Sequence, residues 1–85
     1  MDIFYIPKFL RQLGTLDVEL QKEALEKIEL LKDPKNHKQL KVHKLKGPLA
    51  GRYSFSVNYR TRILFMYKNP KAVILLVIGD HEVYK

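Results

Sequence analysis

The side chains of this sequence that are best suited to chemistry are cations, an imidazole and a phenol. They are Lys44, Lys46, Arg62, His81 and Tyr84. A histidine can give or take a proton near neutral pH, and an arginine can hold phosphoryl oxygens through two parallel hydrogen bonds. A tyrosine can stack on a base or join a proton transfer. Together these groups suit the cleavage of RNA by its own 2′-hydroxyl, without a metal ion.

Several other chemistries lack the residues that they need. The sequence has no cysteine, which removes disulfides, thiolate catalysis and zinc sites built on cysteine. It has no Gly-rich phosphate loop and no Ser-His-Asp grouping. The three histidines, His37, His43 and His81, lack the close pairing that metal motifs show. We therefore expect neither a metal nor a cofactor.

Positive charge is concentrated in one part of the chain. The net charge is +7, but residues 34–79 hold ten Lys or Arg and no Asp or Glu. Such a stretch favours a polyanionic partner, which could be nucleic acid, an acidic protein segment or an anionic membrane. Besides the residues above, the predicted RNA contacts are Lys38, Lys41, Arg52 and Arg60.

Each of these residues also has an ordinary structural explanation. A lysine run is commonly a solvated surface, and a histidine in such a position is commonly a surface residue. Arg62 could pair with Asp80 or Glu82, and Tyr84 could pack at an edge. Only the convergence of several of them on one surface would favour a catalytic site.

Length and composition predict one small folded domain, residues 1–85. Hydrophobic residues make up 46% of the chain, which is typical of a globular protein. No signal peptide is visible, and the longest apolar run, Ala72–Ile78, is too short to cross a bilayer. We expect a soluble protein of the cytoplasm.

Two helices are predicted after a short opening strand at residues 2–6. Pro7 suits the first position of a helix, Gly14 suits its end, and Asp17 is a plausible N-cap for the second helix. Asp33-Pro34 should end that helix. Its apolar face is predicted from spacings of four, four and three, which select Leu20, Ala24, Ile28 and Leu31.

The second half of the sequence predicts strands. A short strand is expected near Val42–Lys46, an alternating strand at residues 53–58 and another at residues 61–67. Ala72–Ile78 is nearly all apolar and should be a strand covered on both faces. The expected fold class is α+β: an antiparallel-rich sheet of three or four strands, with the helical hairpin packed on one face. The candidate residues should then meet on the other face.

The order of elements resembles that of the RelE/ParE superfamily of small toxins. The segments that carry the resemblance are LKG, GRYSFSVNYRTRILFMY and ILLVIGDHEVY. The resemblance implies a toxin of a type II toxin–antitoxin pair that cuts mRNA in the ribosomal A site without metal. It also implies an acidic cognate antitoxin. The alternatives are a ParE-like inhibitor of DNA gyrase and an inactive member that still binds an antitoxin.

The resemblance also implies roles for individual residues. Lys44 and Lys46 match the basic strand that faces the phosphate, and Arg62 matches the arginine of the family's aromatic strand. His81 matches a residue that serves as an acid or a phosphate ligand, and Tyr84 matches an aromatic residue near the scissile nucleotide. Arg52 is a supporting basic contact. The sequence departs from the RelE pattern after its last strand, where Asp80 and Glu82 flank His81 and arginine is missing.

Overall fold

A computed structural model of the chain describes residues 1–80 and residue 83. It contains two helices, α1 (Pro7–Gly14) and α2 (Val18–Leu31). The five strands are β1 (Asp2–Tyr5), β2 (His43–Lys44), β3 (Tyr53–Ser56), β4 (Arg62–Asn69) and β5 (Ala72–Gly79). Short 3₁₀ turns cover Pro34–Asn36 and Gly47–Leu49.

Helix α2 begins and ends where the sequence predicts. The side chain of Asp17 accepts a hydrogen bond from the backbone N–H of Leu20 at 2.8 Å, which confirms it as the N-cap. The helix ends at Leu31, and Pro34 opens a 3₁₀ turn. Neither of the two helices in the described part of the chain has the length and apolar character needed to cross a membrane.

All five strands form one sheet in the order β1-β5-β4-β3-β2. Strand β1 runs parallel to β5, and the other neighbouring pairs are antiparallel. The α+β class is confirmed. The sheet has five strands where three or four were expected, because β1 and the two-residue β2 both join it, one at each edge.

The helical hairpin covers one face of this sheet, which we call the near face. Phe9 from α1 and Ala24, Ile28 and Leu31 from α2 are fully or almost fully buried there. The sheet residues in the same core are Phe55, Ile63, Phe65, Val73, Leu75 and Ile78, and Val57 joins them from the segment that follows β3. Burying a side chain of this size stabilises a fold by about 1.5–3 kcal/mol, so this core holds the sheet in place.

The opposite side of the sheet is the far face, and the register assigns its residues. On β2 to β5 they are His43, Ser54, Ser56, Arg62, Leu64, Met66, Ile74, Val77 and Gly79, and on β1 Phe4 pairs with Ile74. Ser54 and Leu64 are buried, whereas Ile74 and Val77 are half-buried and Met66 is 38% exposed. The expectation that β5 is covered on both faces is therefore wrong, since the helices cover the near face alone.

Candidate functional site

Arg62 is the first residue of β4 and lies half-buried on the far face. Its register partners are Ser56 on β3 and Gly79 on β5. Its Nη1 atom donates to three carbonyl oxygens of the β3–β4 loop (residues 57–61), at 2.6 Å to Asn58, 3.1 Å to Tyr59 and 3.2 Å to Thr61. The guanidinium therefore closes the loop that precedes its own strand.

These bonds use only part of the donor capacity of Arg62. A guanidinium has five N–H donors, and within residues 1–80 and 83 its hydrogen bonds are all made by Nη1. None of those residues accepts from Nε or Nη2. That pair of nitrogens has the spacing that binds two oxygens of a phosphate or carboxylate at once.

The loop that holds Arg62 is itself fixed by Asn58. The Oδ1 atom of Asn58 accepts from the backbone N–H of Arg60 at 2.9 Å and of Thr61 at 2.8 Å. Its Nδ2 donates to Oε1 of Glu23 on α2 at 2.6 Å. The position of Arg62 is thus set by the loop backbone and, through Asn58, by helix α2.

Lys44 does not lie on the same face as Arg62. It pairs with Tyr53, and Tyr53 pairs with Phe65, which is buried on the near face. Side chains directly opposite one another on paired strands point to the same side of a sheet. The expected convergence of Lys44 with Arg62 on the far face is therefore wrong, and the exposed Lys46 lies beyond the end of β2.

The far-face residues beside Arg62 are ones that the sequence analysis did not select. Ser56 pairs with Arg62 itself, and His43 pairs with the next far-face residue of β3, Ser54. His43 is exposed, and its Nδ1 lies 2.9 Å from the carbonyl oxygen of Lys41. The register of β2 would have identified these residues, but a two-residue strand in a lysine-rich segment has no alternation from which to read it.

The four predicted RNA-contacting cations are exposed, but they lie in different places. Lys38 and Lys41 belong to the turn before β2, where the N–H of Lys41 donates to the carbonyl of Lys38 at 3.1 Å. The carbonyl of Arg52, just before β3, accepts from the N–H of Leu45 at 2.9 Å, so Arg52 lies beside the end of β2. Arg60 lies apart from them, in the β3–β4 loop. The positive charge is thus concentrated around β2.

The last two predicted site residues, His81 and Tyr84, lie outside the described residues. Val83 is described, and its N–H donates to the carbonyl of Asp80 at 3.1 Å. A Cβ added to Gly79 would lie 2.7 Å from Cγ1 of Val83. Since Gly79 is the register partner of Arg62, the side chain of Val83 lies over the far face at the position next to the arginine.

A groove of about 960 Å³ lies between α2 and the β3–β4 loop. Its charged lining residues are Asp17, Glu19, Lys22, Glu23, Glu26, Arg60 and Asp80. Carboxylates outnumber cations there, so the groove disfavours a polyanion. A phosphate is better placed on the far face beside Arg62, towards the edge of the sheet where the cations around β2 are concentrated.

Comparison with known proteins finds similarity in structure alone. The sequence matches no protein-family model and no curated protein. The RelBE2 toxin–antitoxin complex of Mycobacterium tuberculosis contains a chain 17% identical, with a TM-score of 0.71 over 94% of this chain and 96% of that one. The YoeB–YefM complex of Staphylococcus aureus gives 18% identity and a TM-score of 0.74, over 95% and 97%.

A third similar structure is archaeal. It is the RelE–RelB complex of Pyrococcus horikoshii, at 17% identity with a TM-score of 0.72, covering 93% of this chain and 92% of that one. All three likenesses span nearly the whole of both chains. The protein described here therefore has the fold of the RelE/ParE superfamily of toxins, which confirms at the level of the fold the resemblance seen in its sequence.

Proposed function

We propose that this protein is the toxin of a type II toxin–antitoxin pair and a metal-independent endoribonuclease that cuts mRNA in the ribosomal A site. The observation that carries this proposal is the arrangement of Arg62. Its guanidinium is anchored to the β3–β4 loop through Nη1, which leaves Nε and Nη2 without acceptors among residues 1–80 and 83. An arginine held in this way is ready to bind a phosphate as a fork, at no further cost in side-chain entropy.

In the proposed reaction the 2′-hydroxyl of the RNA gives its proton to a base, its oxygen attacks the adjacent phosphorus, and the 5′-oxygen of the next nucleotide leaves. Negative charge grows on the non-bridging oxygens, where Arg62 would stabilise it. The leaving oxygen must receive a proton, and His81 and Tyr84 are the proposed donors, since they follow the strand end that pairs with Arg62. The products would be a 2′,3′-cyclic phosphate and a 5′-hydroxyl.

The composition of the far face supports a site that is completed by the ribosome. The nearest far-face neighbours of Arg62 on β3 are Ser56 and Ser54, which carry no charge. The cations of the turn around β2 would attract RNA but are not aligned beside Arg62. On the ribosome, mRNA and ribosomal RNA would hold the scissile phosphate in position next to Arg62, and such positioning commonly contributes to catalysis.

The scarcity of cations beside Arg62 favours an alternative function that does not involve RNA cleavage. A nuclease site with a single cation at its centre is weak, and Lys44 lies on the near face. A protein with this fold that inhibits DNA gyrase, or one that binds an antitoxin without any activity, would not need further cations near Arg62. Cleavage of mRNA would support the nuclease, whereas inhibition of DNA supercoiling without cleavage would support this second candidate function.

The proposed partner is an acidic antitoxin. The ten Lys or Arg of residues 34–79 would attract such a segment, and Lys38, Lys41 and Arg52 are exposed to meet it. The three similar structures reported above are all complexes: the RelBE2 toxin–antitoxin complex, the YoeB–YefM complex and the RelE–RelB complex. The proposed site of action is the cytoplasm, where ribosomes translate.

The test incubates the protein with a defined mRNA in a purified translation system and maps the RNA ends by primer extension. A parallel reaction omits the ribosomes. We expect cuts at A-site codons only when ribosomes are present, and a loss of about 10²-fold or more in Arg62→Ala. Arg11→Ala, an exposed arginine of α1, is the matched control and should cut normally. Intact mRNA with normal translation would refute the proposal, and inhibition of DNA supercoiling would then support the alternative.

A further inference from the structure

The hydrogen bond of His43 selects one tautomer of its neutral ring. Its Nδ1 lies 2.9 Å from the carbonyl oxygen of Lys41, and a carbonyl oxygen can only accept. The hydrogen bond therefore places the proton of the neutral ring on Nδ1. Nε2 is then left with a lone pair, as a histidine that takes a proton requires.

The turn that supplies this carbonyl has an unusual backbone. Lys41 has φ = 57°, in the left-handed region that residues with a side chain rarely adopt. Neighbouring bonds hold it there, since the N–H of Val42 donates to the carbonyl of His37 at 3.0 Å and that of Ser56 donates to the carbonyl of Leu40 at 2.8 Å. Strained backbone that is maintained by its surroundings is characteristic of functional sites.

His43 and Arg62 both lie on the far face, on strands that are separated by β3 alone. His43 pairs with Ser54, and Arg62 pairs with Ser56, two residues further along β3. Strand spacing and rise place their α-carbons about 12 Å apart. An RNA strand laid across the far face of β3 would therefore pass both side chains.

The surroundings of His43 favour RNA. The nearby cations of its turn and strand are Lys38, Lys41, Lys44 and Lys46, and residues 34–79 contain no carboxylate. An anionic backbone would therefore be drawn to this end of the far face. The acidic groove lies beside the β3–β4 loop instead and is lined by none of these residues.

We propose that His43 is the general base of the RNA cleavage, an assignment that rests on the proposed function. Nε2 takes the proton of the 2′-hydroxyl as the 2′-oxygen forms its bond to phosphorus. The bond from phosphorus to the 5′-oxygen breaks, and that oxygen receives a proton from an acid of the site or from water. The ring, now carrying both protons, returns one to solvent, so the reaction needs no other reactant.

His37 provides the matched control within the same segment. Its Nε2 is bonded to the carbonyl of Leu31 at the end of α2, at 2.9 Å, so this ring supports the turn and does not present Nε2 for chemistry. His37→Gln keeps a donor at the position of Nε2 and should preserve that bond. It is expected to cut mRNA at close to the wild-type rate.

The experiment compares His43→Asn and His43→Ala with wild type in cleavage of mRNA on preassembled ribosome complexes. His43→Asn keeps a donor at the position of Nδ1 and removes the ring nitrogen Nε2. We expect kcat to fall about 10²–10⁴-fold with KM within about threefold of wild type. Added imidazole should restore part of the activity of His43→Ala and none in Arg62→Ala.

The outcomes separate the two proposals. If wild type cuts mRNA and His43→Asn cuts within about threefold of it, the base assignment is wrong and the nuclease proposal stands. A loss of activity that imidazole does not restore, together with a raised KM or a lower Tm, would show a structural role and also overturn it. If wild type does not cut at all on ribosomes, the proposed function fails, and the assignment of a base fails with it.

Discussion

Asn58 and Glu23, which are 35 positions apart, are joined by a hydrogen bond of 2.6 Å from Nδ2 to Oε1. The bond fastens the β3–β4 loop to helix α2. Because the carbonyl of Asn58 also accepts from Nη1 of Arg62, the helix contributes to the placement of the arginine that carries the proposed function. The hairpin of helices thus does more than cover the core.

This contact should be visible as a coupling in stability. We expect Glu23→Ala and Asn58→Ala each to lower the free energy of unfolding by about 1–2 kcal/mol, since a hydrogen bond to a charged group is lost. The double variant should lose less than the two single losses combined. Urea unfolding of the four proteins measures this, and simple additivity would show that the bond contributes nothing.

Replacing Arg62 by lysine should separate charge from geometry. A single ammonium cannot bond the three loop carbonyls and also present a fork to phosphate. Arg62→Lys is therefore expected to lose about 1–2 kcal/mol of stability and at least about tenfold in cleavage. Thermal unfolding and the ribosome cleavage assay measure the two effects, and wild-type cleavage by Arg62→Lys would show that the fork is not used.

Gly79 is expected to tolerate a side chain only when Val83 is shortened. A Cβ there would lie 2.7 Å from Cγ1 of Val83, so Gly79→Ala should cost about 1–3 kcal/mol by overpacking. Val83→Ala in the same chain removes that methyl group and should restore most of the loss. Denaturant unfolding of both single variants and the double variant gives the comparison; equal stability of Gly79→Ala and the double variant would contradict the contact.

Alkaline conditions should destabilise the fold partly through Tyr67. Burial raises the pKa of Tyr67. The negative charge of an ionised Tyr53, whose ring centre is 5.0 Å away, raises it further. A raised pKa in the folded state means that its contribution to stability is complete below the ordinary tyrosine pKa of about 10 and is lost as pH rises through the folded value. Tyr67→Phe should show a shallower fall in Tm above about pH 10, and an unchanged slope would refute this.

The lysines near β2 should act on binding and leave the chemical step unchanged. Lys44 lies on the near face, away from Arg62, and Lys46 lies beyond the strand. Lys44→Ala and Lys46→Ala are expected to raise KM several-fold, to leave kcat unchanged and to reduce the salt dependence of binding by about one charge each. Lys8→Ala, on α1, is the control, and a kcat that falls with unchanged KM would place either lysine at the scissile phosphate.

The sequence predicts the helical half of the fold well because its signals are local. Asp17 is recognisable as an N-cap from its position, and the spacing of Ala24, Ile28 and Leu31 selects the face that is buried. The α+β class follows from the same elements. All five strands were predicted as elements, but a single sheet that contains all of them was not, since β1 and β2 are short edge strands whose pairing depends on distant partners.

The candidate site is predicted less well, because it depends on the register in which β2 pairs with β3. Shifting a strand by one residue moves every side chain to the other face, so the choice between His43 and Lys44 depends on the pairing of β2 with β3. No alternation in residues 42–46 reveals that pairing. Arg62 could be selected because it interrupts an apolar strand, but its bonds to the loop carbonyls depend on the tertiary fold. The roles of His81 and Tyr84 stay predictions.

The parallel pairing of β1 with β5 has a consequence for synthesis of the protein. Residues 2–5 leave the ribosome first, but the strand that they pair with in the described part of the chain is residues 72–79, which are made after the other strands. In every nascent chain that stops before residue 72, β1 therefore has no neighbour to join it to β4 and the rest of the sheet. Because contacts so distant in sequence form slowly, the sheet is completed after the helices, once nearly the whole chain has been synthesised.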